Sequence, residues 1–211
     1  MLEAAGDMLR LSVGVIFHPV DTFENIKKNR HFFSYIPVFV LLLATVVIQV
    51  ATIFCTHYPL SSISPDDASV FNECVRFVVP VVGWAISCYI MTSIMDGECL
   101  FKEVLTASVY SMMPFILFML PVSLVSNVFS LGELGIYQFL TGAVWAWVLL
   151  LFFVSVKVLN DYTVRKTLVV CFLSILAMIV IVAVLLLVYA MVNQLVQIIR
   201  DVYTEIRMLN W

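Results

Sequence analysis

Charged residues are scarce in this 211-residue chain. Asp, Glu, Lys and Arg make up 12% of it, whereas hydrophobic residues make up 63%. The mean hydropathy is +1.09. A single soluble core cannot hide so much apolar surface, so the composition excludes a water-soluble globular protein. The net charge of −3 excludes a strongly basic nucleic-acid binder, and we expect no nucleic acid among the partners.

Signatures of catalysis and of metal binding are missing as well. The sequence contains no HExxH, no GxSxG and no phosphate-binding glycine loop. The three histidines are far apart, and the five cysteines form no CxxC pair. We therefore expect no catalytic residues, no metal and no cofactor, and a protein that is not an enzyme. A disulfide between Cys55 and Cys74 stays open.

What the sequence does contain is five long apolar stretches. Each can cross roughly 30 Å of hydrocarbon at about 1.5 Å per residue. They cover about residues 34–56, 77–95, 104–126, 134–156 and 168–192, and none contains Asp, Glu, Lys, Arg or His. Since charged side chains at membrane depth are costly and usually functional, their absence argues against catalysis and driven transport. The sequence predicts an all-α integral membrane bundle of five transmembrane helices, forming a single membrane domain over residues 1–211.

Amphipathic segments flank the five spans. In the interfacial segment 1–33, residues 2–17 place apolar and charged side chains on different faces, which predicts an interfacial amphipathic helix that ends at His18-Pro19. In the tail 193–211, apolar residues recur at alternating spacings of four and three, which predicts an extended C-terminal helix. The apolar stripe of this tail includes Leu195, Ile199, Val202 and Ile206. Lipid and a protein partner stay open as its contact.

Prolines and small residues mark special positions inside the spans. Pro80, Pro114 and Pro121 predict structural kinks, because proline removes a helical hydrogen bond. We expect the carbonyls freed by Pro114 and Pro121 to find partners in Ser or Thr hydroxyls, such as those of Ser111 or Ser123, or in a neighbouring helix. Gly142 and Ala146 form a small-xxx-small notch where another helix can approach closely.

Basic residues are distributed unevenly between the two ends of the predicted bundle. Eight of the 11 fall on the side of the N-terminus, the turn at residues 96–98 and the connection before the fifth span. The other three are Arg76, Arg200 and Arg207. The positive-inside rule therefore predicts a cytoplasmic N-terminus and an extracellular C-terminus.

Three segments resemble the Ypt/Rab-interacting protein (YIP) family of multi-pass membrane proteins in its bacterial form. They read HPVDTFENIK before the first span, DGECLFKEVLTASVYSMMP at the second-to-third hairpin, and NDYTVRKTL before the last span. The resemblance implies five spans with a cytoplasmic N-terminus in a bacterial cytoplasmic membrane. It brings no catalytic residue set. Some bacterial relatives look like companions of ABC transporters.

Two functions are compatible with these observations. The leading hypothesis is a non-enzymatic membrane accessory or scaffold protein of the YIP type, associated with a membrane complex such as an ABC transporter. Its partners would be membrane lipid and other membrane proteins, contacted through Gly142, Ala146 and the tail stripe. The alternative is a small-solute permease or channel whose proline-broken helices line a cavity. A cavity at membrane depth would favour the alternative.

Overall fold

A computed structural model describes residues 11–28, 35–56, 70–129 and 131–209. Within these ranges the chain is helical and contains no strand. Residues 11–17 form α1, and the helices that follow are α2 Pro19–Lys28, α3 Tyr35–Cys55, α4 Val70–Ile94, α5 Phe101–Tyr110, α6 Met113–Val125, α7 Leu134–Leu159 and α8 Val164–Leu209. Two short 3-10 helices, Ser126–Val128 and Leu131–Glu133, join α6 to α7. The predicted all-α membrane bundle is confirmed.

Five apolar segments are long enough to cross a membrane. They are Tyr35–Cys55, Asn72–Ile94, Phe101–Val128, Leu134–Leu159 and Val164–Ile198. Each overlaps one of the predicted spans, because length and apolarity alone define such a segment. The second begins five residues earlier than predicted, and this difference brings charged side chains into the bundle.

The third span is two helices rather than one. The α-helical pattern stops at Tyr110 and resumes at Met113. Pro114 lies in the first turn of α6, where a missing N–H costs little. Pro121 lies inside α6 and Pro80 inside α4, and kinks at these two positions stay predictions.

The serine hydroxyls near these prolines do not contact the carbonyls that we expected them to satisfy. Ser111 Oγ donates to the Ala107 carbonyl at 2.7 Å, and Ser123 Oγ donates to the Thr52 carbonyl of α3 at 3.4 Å. The expectation for Ser111 and Ser123 is therefore wrong. A helical serine reaches the carbonyl four residues earlier most easily, and this local bond takes up the hydroxyl of Ser111.

The N-terminal segment packs on the bundle with part of its apolar surface. The break at His18 is where we predicted it, and α2 follows directly. Val15, Phe23 and Ile26 are fully buried, and α2 packs on α7 and α5. Phe17 points outward and is 73% exposed. The first part of the predicted helix, residues 2–10, lies outside the described residues.

The last helix is much longer than a membrane is thick. α8 has 46 residues, or roughly 69 Å at about 1.5 Å per residue, against roughly 30 Å of hydrocarbon. It packs chiefly on α4 and, to a smaller extent, on α7. The helix continues through the tail to Leu209, as the spacing of apolar residues predicted.

Candidate functional site

Three of the residues predicted to contact a partner, Gly142, Ala146 and Leu195, are exposed. A Cβ atom at Gly142 would meet no atom of the described chain within 4 Å, and Ala146 is exposed. Leu195 is exposed too, whereas the side chains of Ile199, Val202 and Ile206 lie outside the described residues. No described helix of this chain occupies the notch. Its use by another molecule stays a prediction.

Two tight turns interlock at one end of the bundle. Asp96 and Asp161 each adopt a left-handed backbone conformation, with φ of 56° and 50°, which Asp tolerates better than most residues. Tyr162 Oη donates to the Met95 carbonyl at 3.0 Å. A Cβ atom at Gly97 would lie 2.4 Å from Asn160 Oδ1. Only glycine fits here without displacing the facing turn.

The three segments that carry the family resemblance meet at this same end. Lys27 of the first segment forms an ion pair with Asp161 of the third, although 134 residues separate them in sequence. Gly97 of the second segment contacts Asn160 and Tyr162 of the third. We call this contact region, formed by Lys27, Gly97, Asn160, Asp161 and Tyr162, the junction. It groups the N-terminal segment, the hairpin turn and the last connection at one end of the bundle, which is the grouping used in the charge count above.

The chemistry of the junction is that of a structural clamp. Burial raises the pKa of the Cys99 thiol and that of the Tyr162 phenol, so both groups are neutral at physiological pH and neither is an activated nucleophile. In the described ranges, no group of three His, Cys, Asp or Glu side chains is placed to hold a metal ion.

A cavity of about 430 Å³ lies toward the opposite end of the bundle, between α3, α4, α6 and α7. Its polar side chains come from the last turns of α3 and the first turns of α4 and α7. The apolar ones include those at the break between α5 and α6. The lining residues are Gln49, Thr52, Ile53, Thr56, Arg76, Phe77, Pro80, Met112, Phe115, Met119, Tyr137, Thr141 and Trp145.

A buried carboxylate, that of Glu73, contacts two residues that line this cavity. Glu73 is 5% exposed and lies within the second membrane-crossing segment. Gln49 Nε2 donates to Glu73 Oε2 at 3.2 Å, and Arg76 Nη1 lies 3.8 Å from Glu73 Oε1. The prediction that the spans contain no ionisable side chain is therefore wrong for this helix.

The sequence reasoning missed Glu73 because it placed the start of the second span at Phe77, where the uncharged run begins. The helix is already formed at Val70, so Glu73 and Arg76 enter the bundle on its first turns. The available signal was the spacing of three between an acid and a base, which places them on one helix face. Gln49, an amide in an otherwise apolar span, was the second signal.

Aromatic rings form part of the cavity wall. Phe115 lies between two others, with ring centroids 5.1 Å from Phe77 and 5.4 Å from Trp145. Trp145 and Trp147 are 38% and 49% exposed. The backbone of α7 turns both indoles partly outward, since only every third or fourth residue of this helix faces the core.

Comparisons with known proteins identify the family. Searches of curated proteins and of solved structures return no match. A sequence model of the Yip1 domain matches residues 13–195, which takes in all three segments of the junction and all the residues that line the cavity. On this match, and on the five-span bundle that accompanies it, the chain belongs to the Yip1 domain family of membrane proteins.

Proposed function

We propose that this chain is a non-enzymatic accessory or scaffold protein, which associates within the membrane with a complex such as an ABC transporter. The observation that carries the proposal is the second half of α8. Every side chain from Val182 to Ile198 is exposed, and the helix continues as far as Leu209. From Val182 to Val192 this exposed helix is apolar all round, and it therefore offers a long surface to another membrane helix.

The outward notch on α7 supports the same proposal. In lipid, helices associate through close packing at small residues rather than through the hydrophobic effect. Gly142 and Ala146 are one turn apart on the outer surface of α7, and no described side chain fills the space at Gly142. A partner helix can therefore approach the α7 backbone closely here.

The test is purification of the tagged full chain from its native membrane in a gentle detergent. We expect subunits of one membrane complex to co-purify reproducibly and to be identified by mass spectrometry. Ala146→Leu fills the notch, and Ile199→Asp interrupts the tail stripe, so both substitutions should reduce recovery of the partner without changing the unfolding temperature.

Ala143→Leu is the matched control, because it adds the same volume at an exposed position of α7 outside the notch. It should leave partner recovery unchanged. A monomer without any co-purifying protein would contradict the proposal, and so would equal loss of the partner in Ala143→Leu and Ala146→Leu.

A second candidate is the small-solute permease or channel, which the cavity at membrane depth favours. The cavity does not extend as an open path through the described part of the bundle, because Tyr110, Val148 and Leu151, toward the other end, are almost fully buried. Conduction would require these side chains to move. Solute uptake into vesicles containing the purified protein tests this candidate, and uptake equal to that of protein-free vesicles would exclude it.

A further inference from the structure

The cavity combines a polar rim with an apolar floor. Arg76, Thr56 and Tyr137 belong to the rim, and Met112 and Phe115 to the floor. Phe115 lies 14 residues after Phe101 and 13 before Val128, the two ends of the third membrane-crossing segment. The floor therefore lies near the middle of this segment.

The rim contains one cationic side chain, that of Arg76. The Arg76 side chain is 65% exposed, and Nη1 is its atom nearest to Glu73, at 3.8 Å. A guanidinium has five N–H donors, and its fork matches the oxygens of a phosphate or carboxylate. Glu73 is held in turn by Gln49. At 3.8 Å the contact between Glu73 and Arg76 is an ion pair longer than a hydrogen bond, and Arg76 is itself one of the residues that line the cavity.

The other rim groups favour a ligand that also donates hydrogen bonds. The hydroxyls of Thr52, Thr56 and Thr141 donate to carbonyls of their own helices at 2.6–3.0 Å. All three threonines line the cavity, and a hydroxyl that has donated its one hydrogen can offer a ligand only an acceptor lone pair. A headgroup that combines a phosphate with hydroxyl or ammonium hydrogens satisfies both Arg76 and these oxygens. Inorganic phosphate could also bind here, but it has no acyl chain to cover the apolar floor.

The floor specifies the rest of the ligand. Phe77, Met119 and Trp145 line the cavity together with Met112 and Phe115, and they present aromatic rings and thioethers. An acyl chain buries this surface favourably, but a polar solute would leave it without a favourable contact. The volume of about 430 Å³ falls within the roughly 300–1,000 Å³ of ordinary ligand pockets.

From the polar rim and the apolar floor we infer that the cavity is a phospholipid-binding site. Arg76 binds the phosphate, and one acyl chain lies on the floor formed by Met112 and Phe115. The site is distinct from the outer surfaces of α7 and α8, so it is independent of the proposed scaffold function. Loss of lipid binding leaves partner capture intact, and loss of the partner leaves the lipid bound.

Native mass spectrometry of the full chain in detergent, titrated with phosphatidylglycerol, tests the inference. We expect the wild type to retain one lipid, and Arg76→Gln to weaken its binding by about tenfold or more, as expected for loss of a charge-assisted hydrogen bond. Arg165→Gln is the matched control, because Arg165 is exposed and lies in the first turn of α8. It should bind like the wild type.

A second variant fills the cavity without altering charge. Thr141 is half-buried and its hydroxyl bonds only within α7, so Thr141→Phe should fold and fill the cavity. We expect it to lose the lipid as well. Equal lipid binding in the wild type, Arg76→Gln and Thr141→Phe would overturn the inference and show adventitious annular lipid only. Displacement of the lipid by inorganic phosphate would overturn it in favour of a simple anion site.

Discussion

Single residues decide how the two turns of the junction fit together. The Gly97 N–H donates to the Thr92 carbonyl at 2.8 Å, and the Tyr162 hydroxyl reaches the same carbonyl at 3.3 Å. The Thr92 carbonyl therefore accepts hydrogen bonds from two chain segments that are far apart in sequence. Substitutions at the junction should affect the stability of the whole bundle rather than that of one turn.

Gly97→Ala should destabilise the protein by about 1–3 kcal/mol, the usual cost of overpacking. The added methyl would lie 2.4 Å from Asn160 Oδ1 and 2.8 Å from the Thr92 carbonyl oxygen, and backbone cannot move aside as a side chain can. Gly135→Ala is the control, because nothing lies within 4 Å of its Cβ position. Denaturant unfolding in detergent measures both, and equal stabilities would contradict the clamp.

The junction should also lose stability at high pH. Burial raises the pKa of Cys99 above its ordinary value of 9.0 and that of Tyr162 above 10.0. The unfolded chain therefore releases these protons at lower pH than the folded chain, so the stabilising contribution is complete below about pH 9 and declines above it. The unfolding temperature, measured between about pH 7 and pH 10.5, should fall in the upper part of this range.

Tyr162→Phe and Cys99→Ala should flatten this decline, since each removes one titrating group. Tyr162→Phe should also cost about 1–3 kcal/mol at neutral pH, because two backbone carbonyls lose a donor. Tyr189→Phe is the matched control, since Tyr189 is 66% exposed. If the unfolding temperature fell equally at high pH in Tyr162→Phe and in the wild type, this would contradict the assignment of the pH dependence to the Tyr162 phenol.

Among the elements, α2 shows how a segment outside the spans becomes part of the fold. Its Thr22 hydroxyl donates to the His18 carbonyl at 2.9 Å across the break between α1 and α2. Phe23 and Ile26 are then buried where α2 packs on α7 and α5, whereas Val20 is 53% exposed. The ion pair between Lys27 and Asp161 fixes the end of α2 to the last connection.

Phe23→Ala should therefore cost about 3–5 kcal/mol, the range for truncating a buried Phe, because Phe23 is fully buried. Phe17→Ala provides the comparison at a phenylalanine that is 73% exposed, and it should change stability little. Denaturant unfolding of the two variants in detergent distinguishes them. Similar losses would show that α2 rests on lipid rather than on the bundle.

The third span shows which features of one element can be predicted from the sequence pattern and which cannot. Its uncharged run predicts one membrane crossing, and its prolines predict an irregular helix. The separation into Phe101–Tyr110 and Met113–Val125 places Met112 and Phe115 against the cavity. No period in the sequence indicates this, because the position of the break depends on packing against α3 and α7.

For the whole molecule, five spans predict that the two ends of the chain lie on opposite sides of the membrane. The junction groups the N-terminal segment with both turns at one end of the bundle, and the charge bias predicts that this end is cytoplasmic. Fluorescent-protein fusions should therefore give signal at the N-terminus and none at the C-terminus in a membrane whose outer side does not support fluorophore formation. The reverse pattern would contradict the predicted orientation.

The sequence by itself determined the class of the fold, the number of spans and the continuity of the last helix. These follow from the length and apolarity of local segments, and bilayer thickness converts both directly into structure. The resemblance to the Yip1 family could also be recognised from the sequence, because its motifs are continuous stretches of chain. Only the tertiary structure brought Lys27 to Asp161 and Glu73 to Gln49, because such contacts depend on how helices pack around one another rather than on residues near them in the sequence.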